Sequence, residues 1–294
     1  MNDIMGDRTH VIQMLGLIKL MRPKHWVKNG FVLAPLLFSG TFLDVVAVSN
    51  AFLAALLFCI ASSATYIIND INDIEHDRRH PKKSKTRPLA AGAVSLRSAL
   101  LLLSVLYATL IWGWFVAPKP MVVLTAYLVL NFAYTLALKQ QPVIDIFTIA
   151  CGFVLRVYAG AIAIEVPVSS WMFITTLCLA LYLAAIKRRQ ELSQSGTEGR
   201  KVLAQYSVAL VDRYSEMAAT GALLSYSMFV MSAKPELVIS IPLVLFGFFR
   251  YWYAVETLDS GESPTDALLA DPQLLATLVI WLAICGWSLW PLKG

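Results

Sequence analysis

Asn69-Asp70-Ile71-Asn72-Asp73-Ile74-Glu75-His76-Asp77 closes the long apolar run 49–68. It puts four acidic residues where a helix crossing hydrocarbon should end. Unbridged carboxylates crowded at such a place repel one another, so their placement points to a bound cation. At about 100° per residue, Asn69, Asp70, Asp73 and Asp77 fall at roughly 0°, 100°, 40° and 80° around a helix, so their oxygens share one face. Hard oxygen donors grouped in this way suit Mg²⁺, which keeps several waters and usually binds substrate phosphates as well. The competing reading is a solvated helix end that happens to be acidic.

Outward from that motif the chain is strongly apolar. It has 294 residues, 58% of them hydrophobic and 15% charged, with a mean hydropathy of +0.65, too apolar for a soluble domain of this length. Stretches long enough to span a bilayer lie at 27–42, 49–68, 100–116, 121–138, 144–164, 171–186, 217–231, 237–255 and 274–290. They predict an all-α, polytopic bundle of about nine transmembrane helices. Pro35 and Gly40 interrupt the first. The chain reads as one membrane domain over residues 1–294, with 1–21 a short cytoplasmic or interfacial segment. Asp3, Asp7, Arg8, His10 and Lys19 argue against a signal peptide there, and 11–21 is expected to lie on the membrane surface.

The net charge of +5 is concentrated in loops. Arg22, Lys24 and Lys28, the basic run 78–97, Lys139 and the run 187–201 all fall on one side when the spans are threaded, and the positive-inside rule makes that side cytoplasmic. The charge therefore speaks of topology, and no nucleic-acid partner is expected. Cys59, Cys151, Cys178 and Cys285 lie inside spans without CxxC spacing, so neither a zinc site nor a disulfide framework is indicated. The eight tryptophans fit interfacial belts and imply no cofactor.

Directly after the acidic face comes a basic loop, Arg78-Arg79-His80-Pro81-Lys82-Lys83-Ser84-Lys85-Thr86-Arg87. A diphosphate bridged to Mg²⁺ needs this pairing: carboxylates hold the metal, and Lys or Arg neutralise the remaining oxygens and the departing charge. Further ionisable residues at or within spans extend the site, because each must meet a polar interior or an opposite charge. They are Asp145 and Arg156, about three turns apart on one helix, Tyr134 with Lys139, and Lys187-Arg188-Arg189-Gln190-Glu191. Lys24, Lys28 and Asn29 could dock an anionic headgroup at a helix start. The run 256–266 reads as an acidic connector that folds over the site, and Asp271 as a helix cap.

The acidic motif resembles the first Asp-rich motif, NDxxDxxxD, of the UbiA superfamily of intramembrane prenyltransferases, matched here by Asn69, Asp70, Asp73 and Asp77. Tyr134 and Lys139 resemble that family's Tyr…Lys element. The chain departs from the pattern where many members carry a second Asp-rich motif, because Lys187–Glu191 is basic. With the patterns 22–29 and 152–156, that departure resembles the phosphoribosyltransferase branch, which joins polyprenyl (decaprenyl) phosphate to phosphoribosyl pyrophosphate. The resemblance implies Mg²⁺ on Asn69, Asp70, Asp73 and Asp77, with Lys82, Lys85 and Arg87 steadying the pyrophosphate as it leaves. It implies Lys24, Lys28, Arg156 and Lys187 as candidates for orienting the lipid phosphate. Asp73, Asp77, Lys82 and Arg87 are the expected catalytic group. Asn29, Tyr134, Lys139, Asp145 and Glu191 join the expected substrate contacts. The implied setting is a bacterial inner membrane, with the site facing the cytoplasm and a homo-oligomer allowed.

Two alternatives stay open at this stage. One is an aromatic or quinone prenyltransferase using polyprenyl diphosphate, against which the missing second Asp motif counts. The other is an anion transporter, which would need polar residues lining a path to the outer side, where the sequence is almost wholly apolar.

Overall fold

The computed structural model describes residues 13–79, 83–195, 201–257 and 264–290. Lys82 and part of the acidic connector, 258–263, lie outside them. Among the described residues the chain is helical without strands. A 3₁₀ segment, Pro23–Leu33, leads into α1 (Ala34–Ser39), followed by α2 (Val45–Asn72), α3 (Ile74–Arg79), α4 (Lys83–Thr86) and α5 (Leu96–Val116). Then come α6 (Pro118–Leu136), α7 (Ile144–Ala163), α8 (Ser170–Ser195), α9 (Val208–Ala233), α10 (Ile241–Thr257), α11 (Pro264–Ala270) and α12 (Pro272–Ser288).

Among the described residues six helical stretches are long and apolar enough to cross a membrane: α2, α5, α6, α7, residues Ser170–Ser193 of α8, and Pro235–Thr257, which contains α10. The other three apolar stretches of the sequence fall on the 3₁₀ segment with α1, on α9 and on the shorter α12. The interruption at Pro35 and Gly40 is real: Pro35 sits in the first turn of α1, and Gly40 ends that helix at φ +77°, a left-handed conformation that glycine adopts without strain.

Local chemistry sets the helix starts. Asp44 accepts from the Val46 and Ala47 amides to cap α2, Ser95 from Ser98 to cap α5, and Ser207 from Leu210 to cap α9. Asp271 caps α12 as expected, accepting from the Leu274 amide with Pro272 at the first turn. Arg250 grips the same carboxylate, its Nη2 donating to Asp271 Oδ2 at 2.7 Å, and so ties α10 to the start of α12. That hydrogen bond holds the Asp271 carboxyl below the usual carboxylate range.

Large apolar side chains such as Val45, Leu101, Phe115, Met217 and Phe249 face outward. A water-soluble surface would not tolerate so many, whereas lipid does. The stretch 13–21 is helical, with Met14, Leu15 and Ile18 exposed while Leu20 packs beside Ala64, Ile67 and Leu89. The tryptophans depart from a purely interfacial role: Trp26 donates to Ser63 Oγ, and Trp281 donates to Tyr226 Oη inside the bundle.

The core that positions the site joins Val32, Leu57, Phe58, Met121, Leu124, Tyr127 and Ala159, from the 3₁₀ segment, α2, α6 and α7. Its tightest point is Gly160 on α7, where an added Cβ would stand 1.8 Å from the Val32 carbonyl oxygen. Only a residue without a side chain lets the 3₁₀ segment lie against α7, and that approach brings Asn29 to Arg156. Gly160→Ala should force the two apart. The expected cost is about 1–3 kcal/mol, typical of overpacking, seen as a lowered midpoint of thermal unfolding in detergent. An unchanged midpoint would mean that the contact yields freely.

Candidate active site

The acidic motif stays on one continuous axis even though α2 formally ends at Asn72. The Asp73 amide donates to the Asn69 carbonyl at 2.9 Å, and the Asp77 amide to the Asp73 carbonyl at 2.8 Å. Asp70 and Asp77 are each 2% exposed, and basic side chains knit them together. Arg87 Nη1 donates to Asp70 Oδ1 at 2.8 Å and to Asp77 Oδ2 at 2.5 Å, while Lys83 Nζ stands 3.8 Å from Asp77 Oδ1. Arg22 Nη2 donates to the same Asp70 Oδ1 at 2.5 Å. Asp73 turns elsewhere, accepting from Lys139 Nζ at 3.3 Å and from Asn72 Nδ2 at 3.0 Å.

Among the described residues, no three His, Cys, Asp or Glu side chains group as a metal site. Mg²⁺ nevertheless suits the donors present. Asp70 Oδ2 is buried without a hydrogen-bond partner, and this ion needs only one or two protein carboxylates beside water and phosphate.

Arg22 is a site residue that sequence reasoning passed over as a topological flank. Its backbone lies at φ 54°, a costly conformation for a side-chain-bearing residue, and its guanidinium stacks over Tyr66 at 4.9 Å. Strain at that position aims it at Asp70. The available signal was its neighbour, Pro23, which fixes where the 3₁₀ segment begins.

The basic run that replaces a second acidic motif folds inward. Arg188 is fully buried, its Nε donating to Asp145 Oδ2 at 2.6 Å, Nη1 to Glu191 Oε2 at 2.6 Å and Nη2 to Tyr134 Oη at 3.0 Å. Tyr206 completes the cluster by donating to Asp145 Oδ1 at 2.7 Å while accepting the Val143 amide at 2.6 Å. Burial, with the hydrogen bond to Asp145, raises the pKa of the Tyr206 phenol. Both Asp145 oxygens are thus engaged by protein. Arg189 reaches the other way, to Asp212 at 2.7 Å and to Glu256, linking α8 to α9 and α10. Asp145 and Arg156 share a helix, yet they serve different neighbours.

A cavity of about 1000 Å³ runs through the bundle. Arg22, Tyr66, Asn69 and Arg87 line its polar end, with Asp70 and Asp77 held behind the two arginines. Lys28, Tyr134, Arg156 and Lys187 also line it, and Leu36, Phe38, Phe229, Val244 and Trp281 make its far part apolar. Asn29 is buried and accepts from Arg156 Nε at 2.9 Å. Lys24 and Lys85 are exposed and outside this lining, and Asp145, Lys139 and Glu191 also fall outside it.

The sequence profile of the UbiA prenyltransferase family matches residues 31–270. Decaprenyl-phosphate phosphoribosyltransferase of Mycolicibacterium smegmatis is 33% identical over 295 aligned residues, covering 92% of this chain and 91% of that protein. The protein of the same name from Mycobacterium tuberculosis is 34% identical over 284 residues, covering 92% and 93%. A solved UbiA homolog from Archaeoglobus fulgidus, bound to GPP and Mg²⁺, has the same fold, with a TM-score of 0.71 at 20% identity over 94% of this chain and 99% of that one.

The buried Asp145–Arg188 pair should be intolerant of single changes. Asp145→Ala leaves Arg188 Nε and the Tyr206 hydroxyl without their partner, with Glu191 as the remaining counter-charge, and is expected to cost about 1–3 kcal/mol, read as a clear fall in the unfolding midpoint of purified protein. A fall no larger than that of a surface substitution would contradict a structural role for the pair.

Proposed function

The chain belongs to the UbiA prenyltransferase family, and on that footing we propose that it moves 5-phosphoribose from phosphoribosyl pyrophosphate to polyprenyl phosphate. Its similarity to the two mycobacterial decaprenyl-phosphate phosphoribosyltransferases supports the substrate pair. One observation in the structure carries the proposal furthest. Among the described residues, Asp70 and Asp77 form the one carboxylate pair held directly behind the lining of the cavity, whose charged lining residues are all cationic. At the site of a second acidic motif, Arg188 spends its charge on Asp145. Among the described residues the cavity therefore has one carboxylate cluster, enough for one metal-bound diphosphate, and its remaining charged lining is cationic.

In this scheme Asn69, Asp70, Asp73 and Asp77 would hold Mg²⁺, which would supply positive charge against the pyrophosphate of the sugar donor. Arg22, Arg87 and Lys83 stand beside the same carboxylates and carry positive charge to the leaving oxygens. A lipid phosphate oxygen attacks C1 of the ribose as the bond from C1 to the pyrophosphate oxygen breaks, and pyrophosphate leaves with the electron pair. The phosphate dianion is already a nucleophile, so no side chain has to remove a proton. The apolar part of the cavity receives the start of the polyprenyl tail and keeps water from the ribosyl cation as it develops. The product is polyprenyl-phosphoryl-5-phosphoribose, a precursor for envelope glycans. The clustering of basic loops supports a cytoplasmic position for the motif, and the whole chain is proposed to act as one membrane domain.

The decisive assay offers purified protein polyprenyl phosphate with radiolabelled phosphoribosyl pyrophosphate or, separately, polyprenyl diphosphate with 4-hydroxybenzoate, each with Mg²⁺ or EDTA. Label should enter lipid only in the first mixture and only with Mg²⁺. Asp73→Asn should lower that rate by about a hundredfold or more while the protein stays folded, on the scale of losing a charge-stabilising group. Product only in the second mixture would overturn the donor assignment.

A further inference from the structure

The helix 13–21 is held against the side of the bundle by one face. Counted around its axis from Met14, Gly16, Leu20 and Leu17 fall at roughly 200°, 240° and 300°. This face docks: Leu20 is fully buried beside Ala64, Ile67, Leu89 and Ala99, and an added Cβ at Gly16 would stand 2.7 Å from Val94 Cγ2. Met14, Ile18 and Leu15 fall at roughly 0°, 40° and 100°, and all three are exposed. Leu96, Leu100 and Leu101, around the same Ala99 at the start of α5, are exposed too. Ala64 and Ile67 lie roughly 9 and 5 Å from Asp70 along α2, on the side of the apolar run. That is the depth at which interfacial helices rest, so the outward face of 13–21 meets lipid, as its sequence predicts.

Lys19 falls at roughly 140°, on the border between the docked face and the lipid-facing one. There it lines a notch of about 180 Å³, with Leu15 beside it and Lys85, Thr86 and Pro88 across from it. Both lysines are exposed, and among the described residues neither has a carboxylate partner. Lys85, which the resemblance put beside the leaving pyrophosphate, lines this notch and not the large cavity. The notch also joins the two segments that deliver the acidic motif's arginines. The Arg22 amide donates to the Lys19 carbonyl at 3.1 Å, Lys85 stands two positions before Arg87, and both arginines hold Asp70.

We propose that Lys19 and Lys85 form a headgroup seat for an anionic phospholipid of the surrounding bilayer, whose phosphodiester bridges the helix 13–21 to the segment 83–94. Charge supports an anion, since two ammonium groups share one notch and each has donors to spare. Position supports a lipid. A lysine at the edge of a lipid-facing face extends its stem along apolar surface and holds its charge at headgroup level, where the anionic lipids of a cytoplasmic leaflet gather basic side chains. The acyl chains of a lipid seated there run along Leu15, Ile18 and the exposed leucines of α5, a surface that a free phosphate cannot use. A seated lipid ties together the two stretches of chain that end in Arg22 and Arg87, and so steadies the pair of arginines on Asp70. The seat lies outside the large cavity and does not depend on which reaction the cavity performs.

The test measures binding, not turnover. Full-length protein in detergent is titrated with a fluorescent phosphatidylglycerol, and unlabelled phosphatidylglycerol, phosphatidylcholine and soluble glycerol phosphate compete. Phosphatidylglycerol should displace the probe better than phosphatidylcholine, and glycerol phosphate should not displace it. Lys19→Gln and Lys85→Gln should each weaken phosphatidylglycerol about fivefold, the scale of one lysine at an anionic membrane surface. Lys19→Arg should retain the affinity, and Lys234→Gln, beyond the far end of α9, should leave it unchanged. Amide hydrogen exchange over 13–21 and 84–94 should be slower in nanodiscs of phosphatidylglycerol than in nanodiscs of phosphatidylcholine, and the double variant Lys19→Gln/Lys85→Gln should lose that difference. Both lysines are exposed, so the double variant is expected to keep its unfolding midpoint. Affinity equal to that of the unmodified protein in the folded double variant would overturn the seat. Displacement of the probe by glycerol phosphate would make it a site for free phosphate and overturn the lipid assignment.

Discussion

Compensation of buried charge is the constraint on which this molecule depends. In a bundle whose outer surface is Leu, Val and Phe, a guanidinium or carboxylate taken from water must find an opposite charge, a full set of hydrogen bonds or a ligand. Arg188 and Asp145 answer each other, and together with Tyr134, Glu191 and Tyr206 they pin α6, α7, α8 and the turn after Lys201–Gln205 to one another. Asp70 and Asp77 are answered by Arg22 and Arg87, but one oxygen of Asp70 is left without a partner. Arg156 is answered only by neutral groups. The order in which compensation becomes incomplete traces the site: complete at the structural pair, partial at the acidic motif and absent at Arg156.

Backbone packing makes that arrangement possible. The contact between Gly160 and the Val32 carbonyl lets an irregular 3₁₀ segment run where a regular helix with side chains would be too wide. Because the segment passes so close, Arg22 reaches Asp70 at its start, Trp26 reaches Ser63, and Asn29 reaches Arg156. Long 3₁₀ runs are uncommon and tend to mark strained or functional sequence. Here the segment bridges the acidic pole and the neutral-walled cation.

Periodicity and spacing made part of this legible. Apolar runs of span length reported the bundle, and the helical spacing of Asp70 and Asp77 reported a shared face, which the structure expresses as one arginine bridging both. Asp73 shows where that logic stops. Its side chain meets Lys139, 66 positions away, and helical spacing carries no information about which distant helix stands opposite. Arg22 and Arg188 were hidden for the same reason, their carboxylates lying 48 and 43 positions away. Arg188 was hidden a second time, because a basic residue at a cytoplasmic helix end is what topology alone would place there. Sequence pattern reports which face a residue shares, while its pairing is set by how the faces meet.

The replacement of an acidic motif by Lys187–Glu191 is more than the loss of a ligand set. An Asp at position 188 would face Asp145 across a dry interface, and two buried carboxylates at that distance would require a cation between them. With Arg188 the interface supplies its own counter-charge, and the oxygens of Asp145 are turned to holding α8 instead of binding metal. Among the described residues the cavity lining carries cations without carboxylates, and Glu191 stands 3.9 Å from Lys187. A cavity with two acidic poles suits one diphosphate wrapped in metal. A cavity whose described lining carries cations, with one acidic pole behind it, suits the single metal-bound diphosphate of the proposed reaction and leaves positive charge for a second anion.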